Sequence, residues 1–157
     1  MKPEQVKKYL EGLGIKFKTH KHPPVYTAKE AEKYWNEIKG IHSKNLFLKS
    51  DSGRFFLAII PCKNRLDMKK IDELAGEKVR FGDETDLKQV LGIEAGSVSP
   101  FALLNDKEGK TRLLIDKEVW EADFDSFHPC INTETLELSG QDFRKFIRSL
   151  KNKYEII

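Results

Sequence analysis

From Pro3 onward the chain switches between two spacings of apolar residues, one of three to four and one of two, and the switches mark out its elements. Proline's fixed φ suits the first helical position. Val6 and Leu10 then fall four apart, Leu13 continues the stripe, and Gly14 can close the helix in a left-handed conformation. Over residues 15–20 the period drops to two, with Ile15, Phe17 and Thr19 alternating against Lys16, Lys18 and His20, which predicts a half-buried strand ended by Pro23-Pro24. Thr27-Ala28-Lys29-Glu30 reads as a capping box, the threonine hydroxyl taking an orphan amide and the glutamate reaching back. It predicts a helix through Ala31, Tyr34, Trp35 and Ile38.

Leu46, Phe47 and Leu48, the turn Asp51-Ser52-Gly53 and the run FFLAII predict a hairpin. Asp67 can cap MKKIDELA, with Gly76 as terminator, and a second helix of the same kind runs through Leu87, Val90 and Leu91 to Gly92. After the loop GSVSP, the runs FALLN and TRLLI around a turn at residues 106–110 predict another hairpin. DFDSF predicts a short strand leading into His128-Pro129, and Ser139 with Asp142 predicts the start of a last helix burying Phe143, Phe146, Ile147 and Leu150. Strands outnumber helices and alternate with them irregularly. The expected fold is therefore α+β, a mixed, largely antiparallel sheet flanked by helices.

Composition narrows this without redirecting it. At 157 residues, 39% of them hydrophobic, the chain suits one core, and no repeat or linker divides it, so residues 1–157 are expected to form a single domain. No apolar run reaches membrane-spanning length and the first residues lack a signal-peptide pattern, which predicts a cytoplasmic protein with no membrane partner. Cys62 and Cys130 lie outside any C-x-x-C spacing and read as free thiols. A net charge of +3 tolerates a polyanion and is too mild to announce a DNA-binding protein.

The sequence has no G-x-G-x-x-G, P-loop, H-E-x-x-H or G-x-S-x-G, so dinucleotide binding, P-loop hydrolysis, zinc proteolysis and the serine-hydrolase elbow lose their support. His20 and His22 lack a nearby partner to complete a metal site and read as residues of a solvated loop; no metal or cofactor is expected. Three polar interruptions of apolar segments remain: Lys44-Asn45, the loop Gly96-Ser97-Val98-Ser99-Pro100, and His128 before Pro129. Each has a bland reading, respectively a snorkelling lysine, a tight turn and a strand-end histidine. Together they could serve attack on a carbonyl, the glycine loop offering backbone amides to an oxyanion and the lysine and histidine supplying charge and hydrogen bonds.

HPPVYTAKEAE, GIHSKNLFL, GSVSPFALLND and FHPCINTETLELS, in that order along nearly the whole chain, resemble the freestanding prolyl-tRNA editing proteins of the YbaK/ProX superfamily, nearest to the alanyl-prolyl-tRNA deacylase branch. The resemblance implies an enzyme that hydrolyses the ester of mischarged tRNA, foremost Ala-tRNA(Pro), at the acceptor end. It further implies that Lys44 is needed for hydrolysis, that Gly96 and Ser97 present amides to the ester, that His128 lines the same cavity, and that Asn45, Val98, Ser99 and Pro100 shape it. Prolyl-tRNA synthetase is the implied protein partner. Deacylation of another small residue (Cys, Ser or Thr), or a non-catalytic tRNA-binding module, are the alternatives. A covalent intermediate is not expected, because neither Ser97 nor Ser99 has a base partner visible in the sequence.

Overall fold

The computed structural model describes residues 2–24 and 28–157, and at positions 28, 31, 35 and 36 the backbone alone. Eight strands form one sheet in the order β1-β7-β6-β2-β3-β5-β8, with β4 paired to β2 off that path. They are β1 (Phe17–Lys21), β2 (Ile41–Ser50), β3 (Phe55–Pro61), β4 (Val79–Phe81), β5 (Thr111–Ile115), β6 (Phe124–Phe127), β7 (Glu134–Ser139) and β8 (Tyr154–Ile156). The helices are α1 (Pro3–Gly12), α2 (Ala28–Ala31), α3 (Met68–Ala75), α4 (Glu84–Val90), α5 (Lys117–Glu121) and α6 (Gly140–Ser149), joined by 3₁₀ helices at Glu32–Glu37 and Pro100–Asn105. β1·β7, β6·β7, β2·β3 and β2·β4 are antiparallel, whereas β2·β6, β3·β5 and β5·β8 are parallel. The sheet is thus mixed and flanked by helices, as the alternation of patterns predicts.

Local chemistry explains where the helices start and stop. Pro3 opens α1, which buries Val6 and Leu10, and Gly14 follows at φ +74°. The Asp67 side chain accepts from the Lys70 amide to cap α3, and Gly76 ends it in the left-handed region. Ser139 caps α6 by accepting from the Asp142 amide at 3.0 Å, and Phe143, Phe146 and Ile147 of α6 are fully buried. The predicted helix after the double proline is found as α2 followed by a 3₁₀ turn; its threonine cap, Thr27, lies outside the described residues.

FALLN is not a strand. It forms the second 3₁₀ helix, with Pro100 in its first turn and the Ser99 hydroxyl accepting from the Phe101 amide at 3.2 Å. A five-residue apolar run satisfies either period, and here a cap followed by proline sets the helical start. The second hairpin is absent accordingly: β5 lies parallel to β3 and to β8. The first hairpin is present, with β2 starting at Ile41, so Lys44 sits within a strand instead of at its mouth.

Two apolar clusters cover the sheet. The larger packs α1, α6 and the second 3₁₀ helix on one face, against Phe47, Leu57, Ile59, Phe127, Leu136 and Leu138 among others. The smaller packs α3 on the opposite face, through Ile71 and Ala75 against Leu48, Phe56, Ala58 and Leu114. Gly40, at φ +97°, joins the segment 28–39 to β2; a Cβ there would stand 2.2 Å from the Phe124 carbonyl oxygen, so only glycine fits the crossing.

Candidate functional site

Strand alternation divides the side chains of β2: Ile41, Ser43, Asn45 and Phe47 face the larger cluster, while His42, Lys44, Leu46 and Leu48 face the other way. The register places His42 beside Ser126 of β6, Ser126 opposite Glu137 of β7, and Thr135 opposite His20 of β1. Paired residues share a face. Half of the sheet beyond α3 therefore carries a continuous polar surface, in which Ser126, Thr135 and Glu137 are buried.

The segment 28–39 lies over this surface and is held by polar contacts. The Tyr34 ring stacks on His22 with centroids 5.4 Å apart, and the Lys39 amide donates to Glu137 Oε1 at 2.8 Å. Glu32 and Lys44 both act electrostatically on the Cys62 thiol, which burial raises above the ordinary range while Lys44 lowers it and Glu32 raises it. Burial likewise lowers His42, whose carbonyl accepts from the Cys62 amide at 2.8 Å.

His128 shares this face with Lys44. Its Nδ1 lies 2.8 Å from the Glu134 carbonyl oxygen and 3.5 Å from Thr135 Oγ1, and its ring meets His22 edge-on at 5.9 Å. Burial depresses its pKa, the Glu134 carbonyl works against that, and His22 adds to it. The placement of His20 and His22 corrects the solvated-loop reading. His20, on β1, bonds Glu137 Oε1 at 3.2 Å, and His22 Nε2 bonds Thr135 Oγ1 at 2.8 Å. Their i, i+2 spacing was the available signal; the same spacing relates His42 to Lys44.

The glycine loop approaches from the other face. Val98 packs against the larger cluster and Ser99 is fully buried. Phe101, next to Pro100, meets Phe127, next to His128, edge to face at 6.0 Å. Gly96 has φ +87°, as the third residue of a type II turn does, and the Ser97 amide closes that turn on the Glu94 carbonyl at 3.1 Å. The Ser97 amide is thus committed within the loop, and the Gly96 and Val98 amides beside it are candidate donors.

The pairing along β2 is broken between the two faces' candidate residues. On one edge of β2, β6 pairs with residues 41–42 and β4 with residues 48–50; among the described residues no strand covers that edge at 43–46. Lys44 and Asn45 sit in this gap, where Ser43 Oγ and Asn45 Oδ1 are buried without a hydrogen-bond partner among the described residues. A separate cleft of about 480 Å³, lined by Gly40, Glu118, Glu121 and Phe124 among others, contains none of the expected site residues. Among the described residues no group of three or more His, Cys, Asp or Glu is placed to hold a metal, and no helix is long and apolar enough to cross a membrane.

Comparison with known proteins identifies the family and the fold. The profile of the aminoacyl-tRNA editing domain matches residues 22–146. The prolyl-tRNA editing protein ProX of Acetoanaerobium sticklandii is 32% identical over 150 residues, covering 94% of this chain and 92% of its own. Prolyl-tRNA synthetase associated domain-containing protein 1 of Bos taurus is 30% identical, covering 89% of this chain and 85% of its own. The crystal structure of a candidate trans-editing enzyme for prolyl-tRNA synthetase superposes with a TM-score of 0.76 at 19% identity, covering 99% of this chain and 94% of that one, which speaks for the fold. The chain belongs to the aminoacyl-tRNA editing domain family.

Proposed function

We propose that this aminoacyl-tRNA deacylase removes alanine from mischarged tRNA(Pro), with residues 1–157 acting as one editing domain. The observation that carries the reading is the placement of Lys44 and His128 on one half-buried polar face of adjoining strands, beside the unpaired stretch of β2. A prolyl-tRNA synthetase cannot firmly reject alanine, since each missing methylene is worth only about 1–3 kcal/mol. A second, smaller sieve that hydrolyses the error restores accuracy.

In the proposed reaction the terminal adenosine enters at the gap, Lys44 orients the ester carbonyl, and the amides of Gly96 and Val98 stabilise the developing oxyanion. Water's oxygen bonds to the acyl carbon, the ester bond to the ribose oxygen breaks, and the proton lost by water ends on that ribose oxygen. Asn45 and Ser43 offer unpaired acceptors in the same gap, and Asn45 is assigned to substrate binding with Val98, Ser99 and Pro100. Covalent catalysis by a thiolate has no support: burial raises Cys62 and pushes Cys130 up to about 11. Prolyl-tRNA synthetase remains the proposed partner for tRNA delivery.

The test is deacylation of a panel of Ala-, Pro-, Cys-, Ser- and Thr-charged tRNAs. Ala-tRNA(Pro) should be hydrolysed fastest and Pro-tRNA(Pro) spared. Faster hydrolysis of a Cys, Ser or Thr ester would move the substrate to that residue, and tRNA binding with no hydrolysis of any ester would end the enzymatic reading.

A further inference from the structure

One arrangement of protons satisfies every short contact of His22, Thr135 and His128 when both imidazoles are neutral. His22 Nδ1 lies 2.9 Å from the Pro23 carbonyl oxygen. A carbonyl only accepts, so Nδ1 carries the hydrogen and Nε2 holds the lone pair. Thr135 Oγ1, 2.8 Å from that Nε2, must then donate to it. By the same reasoning His128 Nδ1 donates to the Glu134 carbonyl, and its Nε2 becomes the acceptor.

The Thr135 hydroxyl is the variable. It lies 3.5 Å from His128 Nδ1, long beside the 2.8 Å of the Glu134 carbonyl; with its hydrogen free it could donate there in place of the carbonyl contact, which would move the His128 hydrogen to Nε2 and destroy the acceptor. Because the hydroxyl hydrogen is engaged by His22, that competing arrangement is suppressed. We infer that His22 and Thr135 are positioning residues, which hold His128 as its Nδ1–H tautomer and so present Nε2 to the attacking water as a hydrogen-bond acceptor. The role of that acceptor rests on the deacylase reading above; the tautomer does not. Nε2 takes the water's hydrogen as the new bond to the acyl carbon forms and returns it to the departing ribose oxygen.

The neighbouring charges leave this chain of contacts intact. Glu137 is engaged by His20, and the Glu134 carboxylate turns to Lys7 at 3.0 Å. His42 and Lys44 occupy the adjoining strand.

The experiment uses His22→Phe, which keeps a flat ring for the stack on Tyr34 but cannot engage the Thr135 hydroxyl. Long-range ¹H–¹⁵N NMR should show His128 of the wild type as the Nδ1–H tautomer and His22→Phe as a mixture. kcat for Ala-tRNA(Pro) should fall about 10-fold to 100-fold with KM little changed. Adding Thr135→Val removes the competing donor, so the double variant should recover both the tautomer and most of kcat. His22→Gln, whose amide oxygen can accept from Thr135, should retain both and serves if the double variant fails to fold. A wild-type His128 in the Nε2–H form, or a His22→Phe protein with unchanged spectrum and kcat, overturns the inference. If the wild type deacylates nothing, the proposed function fails while the spectra still decide the tautomer.

Discussion

One face of β2 carries two kinds of surface. His42 and Lys44 belong to the polar half whose Glu137 and His22 are met by residues 28–39, and Leu46 and Leu48, the next side chains on the same face, point towards α3. The two covers differ as much as what they cover. α3 is a capped helix that buries Ile71 and Ala75, whereas the cover over the polar half is a short helical stretch fastened by an amide on Glu137 and a ring on His22. The apolar half gains stability in proportion to area removed from water, and the polar half must offset the cost of burial with hydrogen bonds such as those on Glu137 and Thr135. Under the proposed function, stability and chemistry are separated along a single strand.

The largest expected effect tests the apolar half. Leu48→Ala should lower unfolding free energy by about 2–5 kcal/mol in a urea titration, while the folded fraction keeps the wild-type kcat; a larger loss of kcat than of stability would break the separation. Lys44→Leu extends the apolar pattern into the polar half. Deacylation should fall about 100-fold or more, with unfolding free energy within about 1 kcal/mol of wild type, and an unchanged rate would remove Lys44 from the reaction.

A third test concerns the opposite face, where Asp125 is wholly buried and neither carboxyl oxygen has a partner among the described residues. Burial pushes its pKa up to about 8 from an ordinary 3.8, against the pull of Arg144. A raised carboxyl pKa means that the fold holds the proton the unfolded chain gives up. The contribution is complete below about 3.8 and is lost as pH rises through about 8. Asp125→Asn should therefore flatten the fall of Tm with pH and gain about 1–3 kcal/mol at the alkaline end; a wild-type Tm independent of pH across that window would refute it. The smallest effect belongs to the exposed Lys63–Glu118 pair, where Lys63→Ala should change stability by less than about 0.5 kcal/mol by thermal melting.

Caps and turns were readable from the sequence because they are local: Asp67, Gly76 and Ser139 each act within four residues. The resemblance marked Lys44 and His128, which lie on one face of the sheet, and the glycine loop, whose Val98 packs with the larger cluster on the other. Parallel pairing of β5 with β3 was not readable, because FALLN invited a nearer partner and nothing local identifies a distant one. β4, β7, β8 and α5 also went unpredicted. In Glu134–Ser139 the alternation of Thr135 and Glu137 with Leu136 and Leu138 was present but lay beside the stronger signal of the Ser139 cap. The role of His22 depends on a hydroxyl 113 residues away, which spacing along the chain cannot reveal.

Gly40 gives the separation a further meaning. With no side chain there, residues 28–39 descend onto the sheet as far as the Phe124 backbone permits, and any added carbon would lift them away from Lys44 and His128. The clearance above the groups proposed to react is then gauged at a backbone crossing that is none of them. A change in which amino acid is admitted could arise at that crossing and leave every residue that meets the ester as it was.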